Sequence, residues 1–146
     1  MNAKYMEYAL LEAKKAADMG EVPIGAVIVK NGEVLASAHN LCEALSDPTA
    51  HAEILAIKKA AEKIGDFRLT GAELYVTLEP CPMCAGAAIN ARISEIIFGA
   101  ADPKKGALGS VTNLYSFPFP NMPTVYGGIK EKETAEILQN FFKFRR

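Results

Sequence analysis

Apolar positions follow two rhythms along this chain. Between residues 3 and 19, Met6, Ala9, Leu10, Ala13, Ala16 and Ala17 recur at helical spacing, and Gly20 is suited to stop the helix they predict. "PIGAVIVKNGEVLASAHN" (23–40) then holds two runs, the first rich in β-branched residues, around Asn31-Gly32, a pair able to take the positive φ of a tight turn. This pattern predicts a β-hairpin. "LCEALSDP" (41–48) reads as loop. After it, Ala52, Leu55, Ala56 and Ile57 begin an apolar face that continues through Ala60 and Ile64 to Gly65. That is a second helix, with Asp47 or Thr49 as candidate cap.

"AELYVTL" (72–78) and "SEIIFGA" (94–100) are apolar runs of strand length, and "CAGAAINAR" (84–92) between them predicts a helix opening just after Pro82. From 102 to 128 Pro, Gly and Asn accumulate, and "YSFPFPNMP" is too proline-rich for a central strand, so surface loop is expected. Helical periodicity returns in "KEKETAEILQNFFKF" (130–144) through Ala135, Ile137, Leu138 and the Phe141-Phe142 pair, which is expected in the core. Strand and helix alternate, which predicts an α/β fold, and no internal repeat or linker divides residues 1–146 into more than one domain.

Composition narrows the class. With 146 residues, 50% hydrophobic and 23% charged, the chain has enough apolar surface for one core. Its apolar runs fall short of the roughly 18 residues of a membrane span, and "MNAKYMEYALLEAKK" lacks the basic start and apolar stretch of a secretory signal. A cytoplasmic protein without a membrane partner is expected. Three cysteines, two of them spaced C-x-x-C, argue against a disulfide framework. A net charge of -1 offers no general attraction to nucleic acid, so any such attraction must be local.

The candidate chemistry is concentrated in two segments. Cys81 and Cys84 of "EPCPMC" stand at the mouth of a helix, where both sulfurs can converge on one ion and unpaired N–H groups favour thiolate. A redox C-x-x-C is the competing reading of the pair alone. Only two histidines exist, His39 and His51, and His51 lies in the first turn of the other helix that starts at a strand's end. One His and two Cys leave a fourth zinc position for water, as catalysis requires, whereas Cys42 or His39 in that position would make a structural staple. In "DPTAHAEILAIKK" (47–59), His51 and Glu53 are two apart and do not share a helix face. At a helix start both can still reach a ligand off the N-terminus, which makes Glu53 a candidate proton shuttle. A solvated or capping carboxylate is the ordinary alternative.

H-A-E followed by P-C-P-M-C resembles the signature of the zinc-dependent nucleoside and nucleobase deaminases. "EVPIGAVIV", His39-Asn40, "DPTAHAEILAI" and "LYVTLEPCPMCAGAAINARI" are shared in part with guanine and cytosine deaminases. "FGAADPKKGALGS" and "FFKFRR" are more similar to the bacterial tRNA-specific adenosine deaminases, a resemblance covering nearly the whole chain.

The resemblance implies a three-layer cytidine-deaminase-like fold, with a central mixed sheet of about five strands flanked by helices on both faces. It implies one Zn2+ per subunit on His51, Cys81 and Cys84, catalysis by Glu53, a homodimer, and a tRNA anticodon stem-loop whose wobble adenosine becomes inosine. Asn40 would hold the base or its ribose; Ile24, Leu78, Glu79 and Pro80 would contribute to the pocket, and Asn121 would help bind the target nucleotide. RNA contacts would come from Asp102, Lys104, Lys105, Arg145 and Arg146. Met122 stands where histidine is common, among Pro118, Pro120 and Pro123, and Ala101 replaces a larger or polar residue. The alternatives are a deaminase of guanine or another free nucleobase or nucleotide, and a non-catalytic, zinc-stapled RNA-binding module.

Overall fold

Asn31 and Gly32 adopt φ of 52° and 74°, the backbone that lets a two-residue turn follow the twist of its strands. In the computed structural model, which describes residues 1–144, they join β1 (Gly25–Lys30) to β2 (Glu33–His39) as an antiparallel pair. Helix α1 (Lys4–Asp18) precedes the hairpin. After it come α2 (Cys42–Leu45), α3 (Ala52–Ile64), β3 (Glu73–Leu78), α4 (Pro82–Asn90), β4 (Glu95–Ala100), β5 (Thr124–Tyr126) and α5 (Glu131–Lys143). The sheet runs β2-β1-β3-β4-β5. β1 is antiparallel to β2 and β3, while β3, β4 and β5 are mutually parallel.

The two-residue period of a strand divides the apolar runs between two cores. Ala26, Ile28, Leu74, Val76, Ile96 and Phe98 face α3 and α4, against Ala52, Ala56, Ala60, Ala85 and Ala88. Val27, Val29, Tyr75 and Ile97 face α1, against Tyr5, Met6 and Ala9. Burial on both faces explains why these strands read as continuous apolar runs. Helix α5 packs on β4, so the expected three layers and five mixed strands are present. Close approach is built into the α1 side: a Cβ at Gly25 would overlap the Ala9 carbonyl and lie 2.7 Å from the Ala13 nitrogen.

Several local expectations are corrected. The 41–48 loop contains α2, whose backbone N–H groups at Glu43 and Ala44 donate to the buried carboxylate of Glu21 at 3.0 and 2.7 Å. The 102–128 loop contains a 3-10 turn (Leu114–Ser116) and β5. Its prolines all precede β5, which lies at the edge of the sheet, where an unpaired side is tolerated. Neither Asp47 nor Thr49 caps α3. Asp47 accepts from the Thr49 amide and hydroxyl inside its own turn, and the Ala52 N–H of α3 donates instead to Asn40 Oδ1 at 2.8 Å. Phe142 is half exposed rather than core. Among the described residues, no helix is long and apolar enough to cross a membrane.

Candidate active site

His51 and Cys81 are the N-cap residues of α3 and α4, each in extended backbone just before its helix begins. His51 thus stands one step before the first turn rather than in it, with Glu53 inside that turn. Pro82 opens α4 without wasting a hydrogen bond, since a first-turn N–H has no intrahelical acceptor. Cys84 follows in the same turn, fully buried. The parallel β3–α4–β4 unit and the β2–α3 connection therefore bring two helix N-termini together, and both dipoles favour negative charge there.

The ligand atoms of His51, Cys81 and Cys84 all lie within 4.8 Å of one another. His51 Nδ1 is 3.6 Å from Cys81 Sγ and 3.5 Å from Cys84 Sγ. A tetrahedral zinc with ordinary Zn–N and Zn–S bonds needs an N···S edge of about 3.6 Å, so the trio fits such an ion. Cys42 and His39 do not join it. Cys42 belongs to α2, and His39 Nδ1 pairs with Glu12 Oε1 at 3.0 Å. The four-ligand staple is thus not formed among the described residues, and Cys81 and Cys84 carry free thiols rather than a disulfide.

The Cys84 thiol donates to Cys81, and with help from His51 this brings the Cys81 thiol down to about 4 despite burial. Cys84 is pushed up by that same contact and by burial. His51 is raised by its hydrogen bond to Cys81. Glu53 is buried, and desolvation lifts its carboxyl to about 7. A cation held by the trio would stabilise both thiolates and favour the charged form of Glu53.

His51, Glu53 and Cys81 open into a cavity of about 1140 Å³, while Cys84 lies behind them. Its wall includes Ile24, Asn40, Leu78, Glu79, Asp102, Lys104 and Lys105 together with His51, Glu53 and Cys81, so most of the expected site residues are brought together. Asn40 is buried; its Oδ1 is taken by Ala52, while its Nδ2 has no partner among the described residues. Pro80 is buried and does not line the cavity; its carbonyl accepts from Ala107 N–H at 2.9 Å. Asn121 sits in an exposed turn at φ 60°, away from the cavity wall. Arg145 and Arg146 lie outside the described residues.

Glu79 is expected as a pocket group but has another occupation. Its Oε1 accepts from Asp102 N–H at 3.0 Å and from the Ser110 hydroxyl, and its Oε2 accepts from Leu108 and Ser110 N–H at 2.9 and 3.1 Å. Burial raises its carboxyl, but these bonds outweigh burial and hold it below the ordinary value. Asp102 Oδ1 in turn accepts from the N–H groups of Lys104 and Lys105, at 3.0 and 3.2 Å.

Sequence reasoning missed the contribution of α5, whose Leu138 and Gln139 line the cavity beside Phe142 and Lys143. It also missed Glu21, which supports α2 from within the same wall. The periodicity of α5 marks an apolar face, but nothing in it tells which part of the sheet that face meets.

The MafB19-like deaminase family matches residues 1–146. The tRNA-specific adenosine deaminase of Bacillus subtilis (strain 168) is 51% identical over 140 residues, 95% of this chain and 87% of that protein. A solved structure from studies of A-to-I editing by tRNA:A34 deaminases at the wobble position of transfer RNA superposes with a TM-score of 0.91 and 51% identity, covering 94% of this chain and 100% of that one. The X-ray structure of guanine deaminase from Bacillus subtilis is more distant, with a TM-score of 0.66 and 29% identity over 99% of this chain and 94% of that one. With its His-Cys-Cys trio, buried glutamate and shared fold, this chain belongs to the MafB19-like deaminase family and, within it, to the tRNA-specific adenosine deaminases.

Proposed function

We propose that the chain hydrolyses adenosine to inosine at the wobble position of a tRNA anticodon stem-loop. It would do so in the cytoplasm, as a single-domain deaminase paired in a homodimer, with one zinc ion per subunit on His51, Cys81 and Cys84. The observation that carries this reading is Glu53, a buried carboxylate two residues from the histidine of a three-ligand metal trio, opening on the same cavity. Zinc in such a site acts as a Lewis acid and makes water acidic enough to attack near neutral pH.

Glu53 takes a proton from the attacking water and delivers it to N1 of adenine, and oxygen bonds to C6. It then takes the remaining proton from the new C6 hydroxyl and passes it to the amino group, which leaves C6 as ammonia while the C6 oxygen becomes the carbonyl. Water is consumed and inosine remains. Burial favours a proton on Glu53 and the trio's cation opposes it, which suits a group that must both accept and release one. Asn40 presents its Nδ2 to the base or ribose, and Ile24 and Leu78 supply apolar wall. A wobble base in a loop is already partly unstacked, so extruding it costs only a few kcal/mol.

Net charge does not draw RNA to this chain, so the grip must be local. Lys104, Lys105 and Lys143 line the cavity, and Asp102 shapes the turn that carries the first two. Arg145 and Arg146, which follow Lys143 and Phe144 in sequence, add positive charge to the same phosphate-binding role.

Turnover of a stem-loop with adenosine at the wobble position tests the reading, with guanine as the competing substrate. Glu53→Gln should lower kcat by about 10²-fold to 10⁴-fold while one zinc per chain is retained. Turnover of guanine with no inosine in RNA would replace tRNA by a free base, and loss of zinc in Glu53→Gln would remove the shuttle assignment.

A further inference from the structure

We propose that Glu79 is a positioning residue: its carboxylate sets the 102–110 loop so that Lys104 and Lys105 meet the phosphates of the RNA at the cavity mouth. The inference rests on the RNA-deaminase reading above.

Glu79 is 2% exposed, yet its four hydrogen bonds go to a surface loop and not to another side-chain charge. Burying a carboxylate is costly unless both oxygens are satisfied. Here donors from the start of the loop, at Asp102, and from its end, at Leu108 and Ser110, converge on the two oxygens. The middle of the loop is pressed onto the same group, because a Cβ at Gly106 would overlap the Glu79 carboxylate. Between these anchors Lys104 and Lys105 remain exposed, the two cations the loop offers to the cavity wall.

The anchor joins two parts of the site. Glu79 lies between the end of β3 and Cys81; its own N–H donates to Ala100 O at 2.9 Å, and the Pro80 carbonyl holds Ala107 N–H at 2.9 Å. The loop that presents the lysines is therefore referenced to the strand end that presents a metal ligand. This spacing places cationic groups at a constant distance from the reacting base. A flexible loop would lose that entropy on every binding event.

Glu79→Gln tests the assignment. Glutamine keeps the volume but offers one acceptor oxygen and turns an NH2 group toward N–H donors, so at least one anchor is lost. Losing hydrogen bonds to a charged acceptor corresponds to roughly tenfold or more. We expect KM for the anticodon stem-loop to rise about tenfold or more, with kcat changed less than about threefold and zinc content unchanged. The salt dependence of stem-loop binding, read by fluorescence anisotropy with or without turnover, should become shallower by about one phosphate contact or more. Adding Lys104→Ala and Lys105→Ala to Glu79→Gln should cost less than the same pair costs in wild type.

Unchanged KM and salt slope in Glu79→Gln would overturn the proposal, as would a fall in zinc content with KM unaffected, which would place Glu79 in support of Cys81 instead. If Glu79→Gln does not fold, Ser110→Ala decides: it removes one donor, and a KM and salt slope equal to wild type would overturn the proposal. Wild-type protein that makes no inosine sinks the deaminase reading, whereas active wild type with an unaltered Glu79→Gln sinks this inference alone.

Discussion

Asn40 holds a helix N–H, and the substrate contact proposed for it is a second task that substitution can separate. Its Oδ1 accepts the Ala52 N–H at 2.8 Å, the first helical N–H after the candidate metal ligand His51. Its Nδ2 has no protein partner among the described residues, and the residue lines the cavity. Asn40→Ala leaves a helix N–H unpaired in a buried wall, which costs about 1–3 kcal/mol, or about 3–10 °C in Tm for a chain of this size. Asn40→Asp keeps an acceptor at the positive end of α3 and should restore most of that stability. It does not restore the NH2 donor. Both variants should therefore lose about fivefold or more in kcat/KM, since one hydrogen bond to substrate is worth about 1 kcal/mol. Thermal melting and inosine formation in a stem-loop, measured on the same preparations, read the two tasks independently. An Asn40→Ala variant that melts like wild type would refute the capping argument. Recovery of kcat/KM in Asn40→Asp would refute the substrate contact.

Two further outcomes concern the scaffold. Gly25→Ala places a methyl group against the Ala9 carbonyl and 2.7 Å from the Ala13 nitrogen, both backbone atoms of a packed helix. It should lower stability by about 3 kcal/mol or more, read as a drop in the urea midpoint, and an unchanged midpoint would show that α1 can shift away from the sheet. Burial raises the Glu12 carboxyl, but hydrogen bonds from Lys15 and His39 outweigh it and hold it below its ordinary 4.5. As pH falls, the unfolded chain takes up that proton first, so the contribution of Glu12 is present above 4.5 and declines below it. Glu12→Gln should flatten the acid side of the stability profile relative to wild type, and parallel profiles would remove Glu12 as the cause.

Local pattern sufficed for the regular elements. The helical spacing of 3–19 and 52–64 and the Asn31-Gly32 turn correspond to α1, α3 and the hairpin because side-chain period and turn chemistry act over a few residues. Where long-range partners decide, the same reading fell short. Neither Glu21 nor Asn40 announces that it will cap a helix elsewhere in the chain, yet their acceptors hold α2 and α3. β5 follows three prolines and is only three residues long, and it becomes a strand because Thr124, Val125 and Tyr126 find the free edge of β4.

By itself, then, the sequence determined the alternation of strands and helices, the His-x-Glu and Cys-x-x-Cys donor sets and the family to which they belong. Those are properties of residue type and spacing, and they survive without coordinates. The tertiary structure decided which donors meet: His51 with Cys81 and Cys84, leaving Cys42 and His39 apart. It also decided that Glu79 faces a loop, that α5 closes one wall of the cavity, and that Asn121 stands outside it. Each of these depends on groups far apart in the chain being brought within hydrogen-bond or contact range. Only the packing of helices on both faces of a twisted sheet sets those distances.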